Sequence, residues 1–185
     1  MGGVDRGVLP NPVGPHLILR LALIVLTGLA FVLPVCAEEP AETLQGAVTW
    51  VHDGDTIEIE KLGKVRLIGI DTPEREDSPR DQFLEKQGVP ATRQREIYRK
   101  AKAFNIRFVK GQTVSLTFDH PPRDRYGRLL AYVYLPDGRL LNRLLLEQGL
   151  AVVYRKFTFR MKTDFLAAEE QARRAGLGLW EGRKP

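Results

Sequence analysis

Apolar residues alternate with polar ones along three short runs that begin at residue 44. The runs cover residues 44–51, 56–61 and 64–70, and a tight turn at residues 62–63 separates the last two. A period of two is typical of strands that bury one face. The pattern therefore predicts three strands joined as a meander.

The rest of the chain shows helical spacing alternating with further strand-like runs. Residues 75–91 are charged, contain two prolines and a glycine and show no period, which predicts a mobile loop. Helical spacing predicts a helix at 94–109. The remaining runs predict two strands and two helices, at residues 113–118, 129–135, 140–148 and 163–174. Five strands with about three interleaved helices indicate an α+β fold, a Greek-key barrel of the OB type.

Composition allows one domain of ordinary size. The 185 residues are 43% hydrophobic and 28% charged, and the formal net charge is +5. This mild excess of positive charge permits binding to a polyanion without requiring it. Cys36 is the only cysteine and lies in the N-terminal segment, so we expect no disulfide and no cysteine catalysis in the domain.

The first 37 residues have the order of an export segment. Arg20 precedes an apolar run at residues 21–33, and the small residues up to Ala37 follow. Three interpretations stay open: a cleaved signal peptide, an uncleaved membrane tether through residues 17–37, and a lipoprotein modified at Cys36. We divide the chain into this segment (1–37), a linker (38–43) and a domain (44–182). We expect export to the periplasm or the medium, or anchoring in a membrane.

Two acidic strings hold the most informative chemistry, Asp53-Gly54-Asp55-Thr56 and Asp71-Thr72-Pro73-Glu74. Arg66 lies between them in sequence, and Arg128 follows further on. Carboxylate oxygens suit Ca²⁺ or Mg²⁺, whereas guanidinium groups fit phosphate with forked hydrogen bonds. Together these residue types predict metal-assisted chemistry on a phosphodiester, as in a nuclease.

Each string by itself has a simpler interpretation. Asp53-Gly54-Asp55 alone is typical of a turn, and it cannot open an EF-hand loop because Glu58 and Lys64 stand at the glycine and final acidic positions. The string that begins at Asp71 could start a helix with Pro73 at its first position. The two arginines could be solvated surface charges.

Taken in order, the motifs over residues 44–180 resemble the staphylococcal-nuclease-like (thermonuclease) family. The motifs that carry the resemblance are Asp53-Gly54-Asp55-Thr56, Arg66-Leu67, Asp71-Thr72-Pro73-Glu74, Asp124-Arg125-Tyr126-Gly127-Arg128, Glu147-Gln148-Gly149-Leu150-Ala151 and Leu179-Trp180. The resemblance implies a Ca²⁺-dependent endonuclease, and for a domain of this size we expect a monomer. It would cleave DNA and RNA with low sequence specificity and a preference for single strands, leaving 3′-phosphate ends.

The resemblance also implies a role for each matching residue. Asp55, Asp71 and the carbonyl of Thr72 would bind Ca²⁺. Glu74 would orient or deprotonate the attacking water, and Arg66 and Arg128 would hold the phosphate. The implied substrate contacts are Arg125, Tyr126 and Tyr154.

The charged segment 75–95 departs from the family pattern. Its arginines could extend a phosphate track, or neighbouring acids could balance them in a solvated loop. Two other functions stay open beside the nuclease: a nucleic-acid-binding OB module without catalysis, and an adaptor tethered to the cell envelope.

Overall fold

Five strands close into a barrel in the computed structural model of this protein, which describes residues 43–182. The strands are β1 (Leu44–Val51), β2 (Thr56–Ile59), β3 (Gly63–Leu67), β4 (Ile70–Asp71), β5 (Thr113–Arg123), β6 (Leu129–Tyr134) and β7 (Val152–Val153). The barrel order is β1-β2-β3-β6-β5, while β4 and β7 pair as a separate small sheet. β3 and β6 run parallel, and the other neighbours run antiparallel. The predicted five-stranded barrel is confirmed, in an arrangement consistent with an OB-type fold.

Four α-helices surround the barrel in the described part of the chain, one more than the sequence predicts. They are α1 (Asp81–Glu85), α2 (Ala91–Val109), α3 (Leu141–Glu147) and α4 (Lys162–Arg174), and a 3₁₀ turn follows at Gly178–Trp180. The prediction of a single loop over residues 75–91 is wrong, since this segment holds α1 and the first residue of α2. Short helices of this kind have too few residues to show a period.

The prediction of one strand at 64–70 is also wrong at its end. The strand stops at Leu67, and the chain turns before Asp71. Gly69 has a φ of +80°, and a Cβ on it would lie 2.5 Å from the ring of Phe159. Glycine alone fits this turn. The chain therefore leaves the barrel after Leu67, and Asp71 joins the small sheet, where it pairs with Val152.

A buried polar side chain ties the barrel to the same turn. Asn142, at the start of α3, donates hydrogen bonds to the carbonyls of Ile68 (2.9 Å) and Ala131 (3.2 Å) and accepts one from the amide of Val133 (3.0 Å). A buried amide with all three of these partners specifies one packing arrangement. Asn142 therefore connects the turn before Asp71 to strand β6 of the barrel.

The strand after α2 is longer than predicted. β5 extends to Arg123 instead of residue 118, and its register with β6 shifts between Phe118 and Arg123. The predicted export segment (1–37) and nearly all of the predicted linker lie outside the described residues. Between residues 43 and 182, no helix combines the length and the apolar character that crossing a bilayer requires.

Candidate active site

A cleft of about 360 Å³ opens on one side of the barrel. The residues that line it are Asp53, Asp55, Arg66, Thr72, Glu74, Arg80, Tyr126 and Arg128. A second cavity of about 460 Å³ adjoins it and shares the walls at Thr72, Glu74 and Arg80. Three other residues singled out by the sequence, Asp71, Arg125 and Tyr154, line this second cavity. Every residue assigned to the site by resemblance thus lies in one of two connected cavities.

Arg66 lies between the two carboxylates that the family resemblance assigns to the metal. Its Nη1 donates to Asp55 Oδ1 and its Nη2 to Asp71 Oδ1, each at 2.6 Å. Asp55 precedes β2 and Arg66 lies opposite on β3, so strand pairing fixes the first contact. The turn at Gly69 brings the second carboxylate back to the same guanidinium. Barrel closure and this turn together build the acidic cluster.

The other oxygen of Asp55 faces the second acidic string. Asp55 Oδ2 accepts hydrogen bonds from the amide (3.2 Å) and the hydroxyl (3.4 Å) of Thr72, and the hydroxyl of Thr56 donates to Oδ1 at 2.9 Å. The Asp55 side chain is only 5% exposed. Hydrogen bonds to both of its carboxylate oxygens therefore hold the Asp55 side chain in one orientation.

The cluster carries more negative charge than Arg66 alone neutralises. Burial, and then the charge of Asp55, raise the pKa of Asp53 to about 7. Burial and the same neighbour also raise the pKa of Asp71, although Arg66 and Arg80 oppose the shift. Like charges that share a buried site favour protonation of one of them. A further cation would relieve this repulsion.

The donors at this position suit a hard cation. Within residues 43–182, no group of three or more His, Cys, Asp or Glu side chains is arranged to hold a metal ion. The set predicted from the family has only two carboxylates, Asp55 and Asp71, together with one backbone carbonyl, that of Thr72. All of these donors are oxygens, and Ca²⁺ completes such sets with water. The residues present therefore fit a calcium ion chemically.

Helix α2 positions the loop that carries Asp53 and Asp55. Asn105 Nδ2 donates to the carbonyl of Gly54 at 2.8 Å, and a Cβ on Gly54 would lie 2.7 Å from Ala101 Cβ and 2.8 Å from Thr72 Cγ2. The backbone approaches the helix so closely that only glycine fits. Asn105 was not among the site residues predicted from the sequence, although a polar amide on the apolar face of a helix is a recognisable signal.

Asp124 holds Arg128 in the cleft. Nε and Nη2 of Arg128 donate to Asp124 Oδ2 at 2.8 and 2.7 Å, while Oδ1 accepts from the amides of Tyr126 and Arg128. Burial alone would raise the pKa of Asp124, but the hydrogen bonds from Arg128 and the two amides lower it below its usual value. Arg128 is thus preorganised before any substrate arrives.

The exposed ring of Tyr126 lies beside two arginines. Its centroid is 5.6 Å from Cζ of Arg128 and 4.8 Å from Cζ of Arg125, and Arg125 donates to its hydroxyl at 2.6 Å. An aromatic face beside guanidinium groups can contact a base or a phosphate. Tyr126 therefore lies where a nucleotide next to the cleft would be contacted.

Glu74 is paired with an arginine that the sequence assigned only to a charged loop. Nη1 of Arg80 donates to Glu74 Oε1 at 2.6 Å and lies 3.7 Å from Asp71 Oδ1. Arg80 lines both cavities. Its charge was the only signal in the sequence, because its partners depend on the position of α1.

The segment around α1 is fastened to α2. Arg95 donates to the carbonyls of Glu74 and Glu76 and pairs with the buried carboxylate of Asp81. Gln94 donates to the carbonyl of Asp81 at 3.2 Å. These contacts fix the position of Arg80, which is the residue immediately before α1.

The second cavity has the character of a base-binding groove. Apolar and aromatic side chains of Phe83, Leu84 and Tyr154 form its walls, and Arg125 and Lys156 bring positive charge to it. The ring of Tyr154 packs 5.0 Å from that of Phe157. Such a groove suits stacking of a base next to a phosphate held in the first cavity.

Comparisons with known proteins match the sequence of this domain to a known family. The family model described as "Staphylococcal nuclease homologue" matches residues 64–182. A thermonuclease of Staphylococcus intermedius is 37% identical over 140 residues, which cover 71% of this chain and 72% of the relative. An uncharacterized endonuclease of Escherichia coli O157:H7 is 32% identical over 145 residues, 77% of this chain and 80% of the relative. An uncharacterized protein of Methanocaldococcus jannaschii is 38% identical over 152 residues, 75% and 72% of the two chains.

Proposed function

Since the chain belongs to the staphylococcal nuclease homologue family, we propose that it is an exported, Ca²⁺-dependent endonuclease that hydrolyses DNA and RNA with low sequence specificity. The observation that carries this proposal is the meeting of Arg66, Glu74 and Arg128 in one cleft beside an acidic cluster. Metal-assisted hydrolysis of a phosphodiester uses these three kinds of group together: cations for the phosphate, a carboxylate for water, and donors for a metal.

The two arginines of the cleft differ in how they are held. Arg66 is engaged by Asp55 and Asp71, whereas Arg128 is engaged by Asp124 at the rim. A phosphate entering between them would accept hydrogen bonds from both guanidinium groups. Negative charge that develops on the non-bridging oxygens would then be stabilised from two sides, an effect worth about 3 to 4 kcal/mol for a well-placed donor.

Glu74 is the group available to move the proton of the attacking water. Its carboxylate lines both cavities and is partly exposed, so water can reach it. A carboxylate in this position orients the water and accepts its proton. The ion pair with Arg80 engages Glu74 Oε1, so Oε2 is the oxygen left to accept the proton.

Asp55, Asp71 and the carbonyl of Thr72 would hold the calcium ion. When bound, the ion would add positive charge beside the phosphate and polarise its oxygens. Burial, and then the charge of Asp55, raise the pKa of both Asp53 and Asp71, and a bound cation would offset both effects, which supports this assignment.

Low specificity follows from what the cleft offers a substrate. Phosphate contacts carry no base information. The aromatic walls at Tyr126 and Tyr154 support a preference for single strands, whose base faces are free to stack. Cleavage on the 5′ side of phosphorus, which leaves 3′-phosphate ends, is proposed from the family resemblance. Export is proposed from the apolar N-terminal segment, with a membrane tether as the alternative.

The test is hydrolysis of single-stranded DNA and of RNA by the purified full-length protein, with Ca²⁺ and with a chelator. Glu74→Gln removes the proposed proton acceptor, and Glu60→Gln makes the same change at an exposed position outside the cavities. We expect calcium-dependent cleavage that is lost in Glu74→Gln and kept in Glu60→Gln. Binding without cleavage in the presence of any divalent ion would instead indicate a nucleic-acid-binding module. Neither binding nor cleavage, with retention in membranes, would indicate an adaptor.

A further inference from the structure

We propose that the protein has a second binding site for single-stranded nucleic acid on the outward side of α2, apart from the catalytic cleft. We define this α2 outer face by Arg99, Lys102, Arg107, Lys110 and Trp50. The site deepens the proposed nuclease function and rests on it for its purpose, which is to hold a long substrate while the cleft acts on it. Its binding can nevertheless be measured without turnover.

The charge of α2 is strongly one-sided. Residues 91–110 contain seven Lys and Arg but a single acid, Glu96. Three of the cations have acidic partners: Arg93 with Glu96 and Glu181, Arg95 with Asp81, and Lys100 with Glu96.

The remaining four cations form the α2 outer face. Within residues 43–182, none of them has an acidic side chain within 4.0 Å; they are Arg99, Lys102, Arg107 and Lys110. Unpaired cations on one side of a helix create a field that attracts a polyanion. The cations of the cleft differ, because carboxylates of the site neutralise Arg66, Arg80 and Arg128.

One exposed aromatic ring, that of Trp50, lies among these cations, and the partly buried ring of Phe108 lies beside Arg107. Trp50 projects from β1 with 52% of its surface exposed, and Nζ of Lys110 lies 4.8 Å from its ring centroid. The ring of Phe108 has the guanidinium groups of Arg107 and Arg139 beside it, each 5.7 Å from the centroid. Basic side chains combined with an exposed ring are typical of surfaces that bind single strands through phosphate contacts and base stacking.

The spacing along α2 suits a strand that follows the helix. Arg99 and Lys110 are eleven residues apart, so they lie about 16 Å apart along the axis and point in nearly the same direction. This length corresponds to about five nucleotides at the rise of one strand.

The same helix also reaches the cleft. Arg95, one turn before Arg99, donates to the carbonyl of Glu74. A long substrate that leaves the cleft past Glu74 would therefore meet α2 at this end.

The chemistry of the face favours nucleic acid over an anionic membrane. Trp50 is its large exposed apolar side chain, and Ile106 is the one large apolar side chain that α2 itself exposes in the described residues. Membrane-surface helices insert a continuous apolar face, which α2 instead buries against the barrel and the Gly54 loop. A single ring among cations suits stacking on a base.

Binding is tested in the full-length Glu74→Gln protein. The probe is an oligothymidylate of 20 nucleotides, which this variant should leave intact. The chain has two tryptophans, and Trp180 is fully buried, so quenching by the oligonucleotide reports on Trp50. We compare Arg99→Gln/Lys110→Gln with a control that removes the same charge from two other exposed lysines, Lys61→Gln/Lys86→Gln. Both control lysines lie outside α2 and outside the linings of the two cavities.

We expect the α2 double variant to lose most of the quenching and to bind about tenfold more weakly, while the control binds as the parent does. The slope of log affinity against log salt should fall in magnitude by about 1.4 for two lost contacts, and the advantage of the parent should shrink about sevenfold between 50 and 200 mM salt. Trp50→Ala lacks the reporting ring, so its affinity is measured by the anisotropy of a fluorescein-labelled oligothymidylate; it should weaken binding about tenfold by removing stacking. Equal affinity and slope in all variants would overturn the proposal.

Hydrolysis by proteins with Glu74 intact separates this site from the cleft. We expect Arg99→Gln/Lys110→Gln to raise KM for long single-stranded DNA about tenfold and to leave KM for a dinucleotide unchanged. Equal KM values for parent and variant on both substrates would reject the second site and keep the nuclease. Absence of any hydrolysis would reject the nuclease, while the binding measurement would still decide the α2 outer face. If the double variant lost binding to phosphatidylglycerol vesicles but kept its affinity for oligothymidylate, the face would be a membrane site and the proposal would be wrong.

Discussion

Nη1 of Arg80 donates a 2.6 Å hydrogen bond to Oε1 of Glu74, so the proposed proton acceptor is held by a residue from the segment before α1. Both side chains are partly exposed, at 56% and 39%. Exposed pairs of this kind contribute at most about 1 kcal/mol. A substrate phosphate can therefore draw Arg80 away from Glu74 at small cost.

Replacing Arg80 tests whether it contacts the substrate. We expect Arg80→Ala to raise KM for single-stranded DNA about fivefold with a smaller change in kcat, because the lost interaction is with a ground-state phosphate. Steady-state kinetics would measure this. Arg75→Ala is the matched control, because Arg75 is exposed and its nearest ion pair, with Glu76, is long at 4.0 Å. A fall in kcat at constant KM would show that Arg80 instead positions Glu74.

Calcium should stabilise the protein through Asp55 and Asp71. A ligand that binds only the folded state at one hundred times its Kd raises the free energy of unfolding by about 2.7 kcal/mol. We expect added Ca²⁺ to raise the melting temperature of the wild type and not that of Asp71→Asn. The control is Asp77→Asn, which removes a nearly fully exposed carboxylate from the neighbouring segment. An undiminished calcium shift in Asp71→Asn would exclude this carboxylate as a ligand.

Asp124→Asn should reduce kcat by one to two orders of magnitude, because Arg128 loses the charged partner that orients it. Asparagine keeps an oxygen that can accept from the amides of Tyr126 and Arg128, so the turn should survive. Single-turnover rates with saturating substrate would measure the loss. A wild-type rate in a folded Asp124→Asn protein would show that Arg128 needs no orientation by this residue.

The same substitution predicts a pH dependence of stability. The pKa of Asp124 is lowered in the folded protein, so its stabilising contribution is present above its usual value of 3.8 and is lost as the pH falls through the lower, folded value. The difference in free energy of unfolding between wild type and Asp124→Asn should be constant from pH 8 to pH 5 and shrink below about pH 4. Urea unfolding at pH 7 and pH 3 checks the sign. A difference that grew toward low pH would contradict it.

Gly54→Ala should destabilise the protein by about 1 to 3 kcal/mol, because the added methyl would overlap Ala101 and Thr72, which cannot move as flexible side chains do. Activity should fall as well, since the loop carries Asp55. Thermal unfolding and turnover together measure both effects. In Gly111→Ala the new Cβ meets nothing within 4 Å but φ is +79°, so this control isolates the conformational cost. Equal stability losses with full activity in both would contradict a steric effect at the site.

Local patterns predicted much of the fold. The first strand has the predicted bounds, Leu44–Val51, and the last helix starts one residue earlier than predicted, at Lys162. Both have clear periods within a single element. The short α1 and the two-residue strands β4 and β7 were missed, because so few residues show no period and each is stabilised by partners distant in sequence.

The sequence identified the chemically active residues of the site but missed several residues that hold them in position. The family motifs pointed to Asp55, Arg66 and Glu74, which line the cleft. Asn105 and Arg80 were not assigned to the site. Asn105 donates to the backbone carbonyl of Gly54 and Arg80 to the carboxylate of Glu74, and both contacts depend on how the folded chain packs.

The sequence by itself determined the barrel class, the family and the residue types available for phosphate and metal, because side-chain identity and hydrophobic period are properties of short stretches of chain. Only the tertiary structure decided that Arg66 bridges Asp55 and Asp71, that Arg80 reaches Glu74, and that the unpaired cations of α2 lie on one exposed side near Trp50. These relationships depend on closing the barrel and packing α2 against it, which brings together side chains that no local pattern connects.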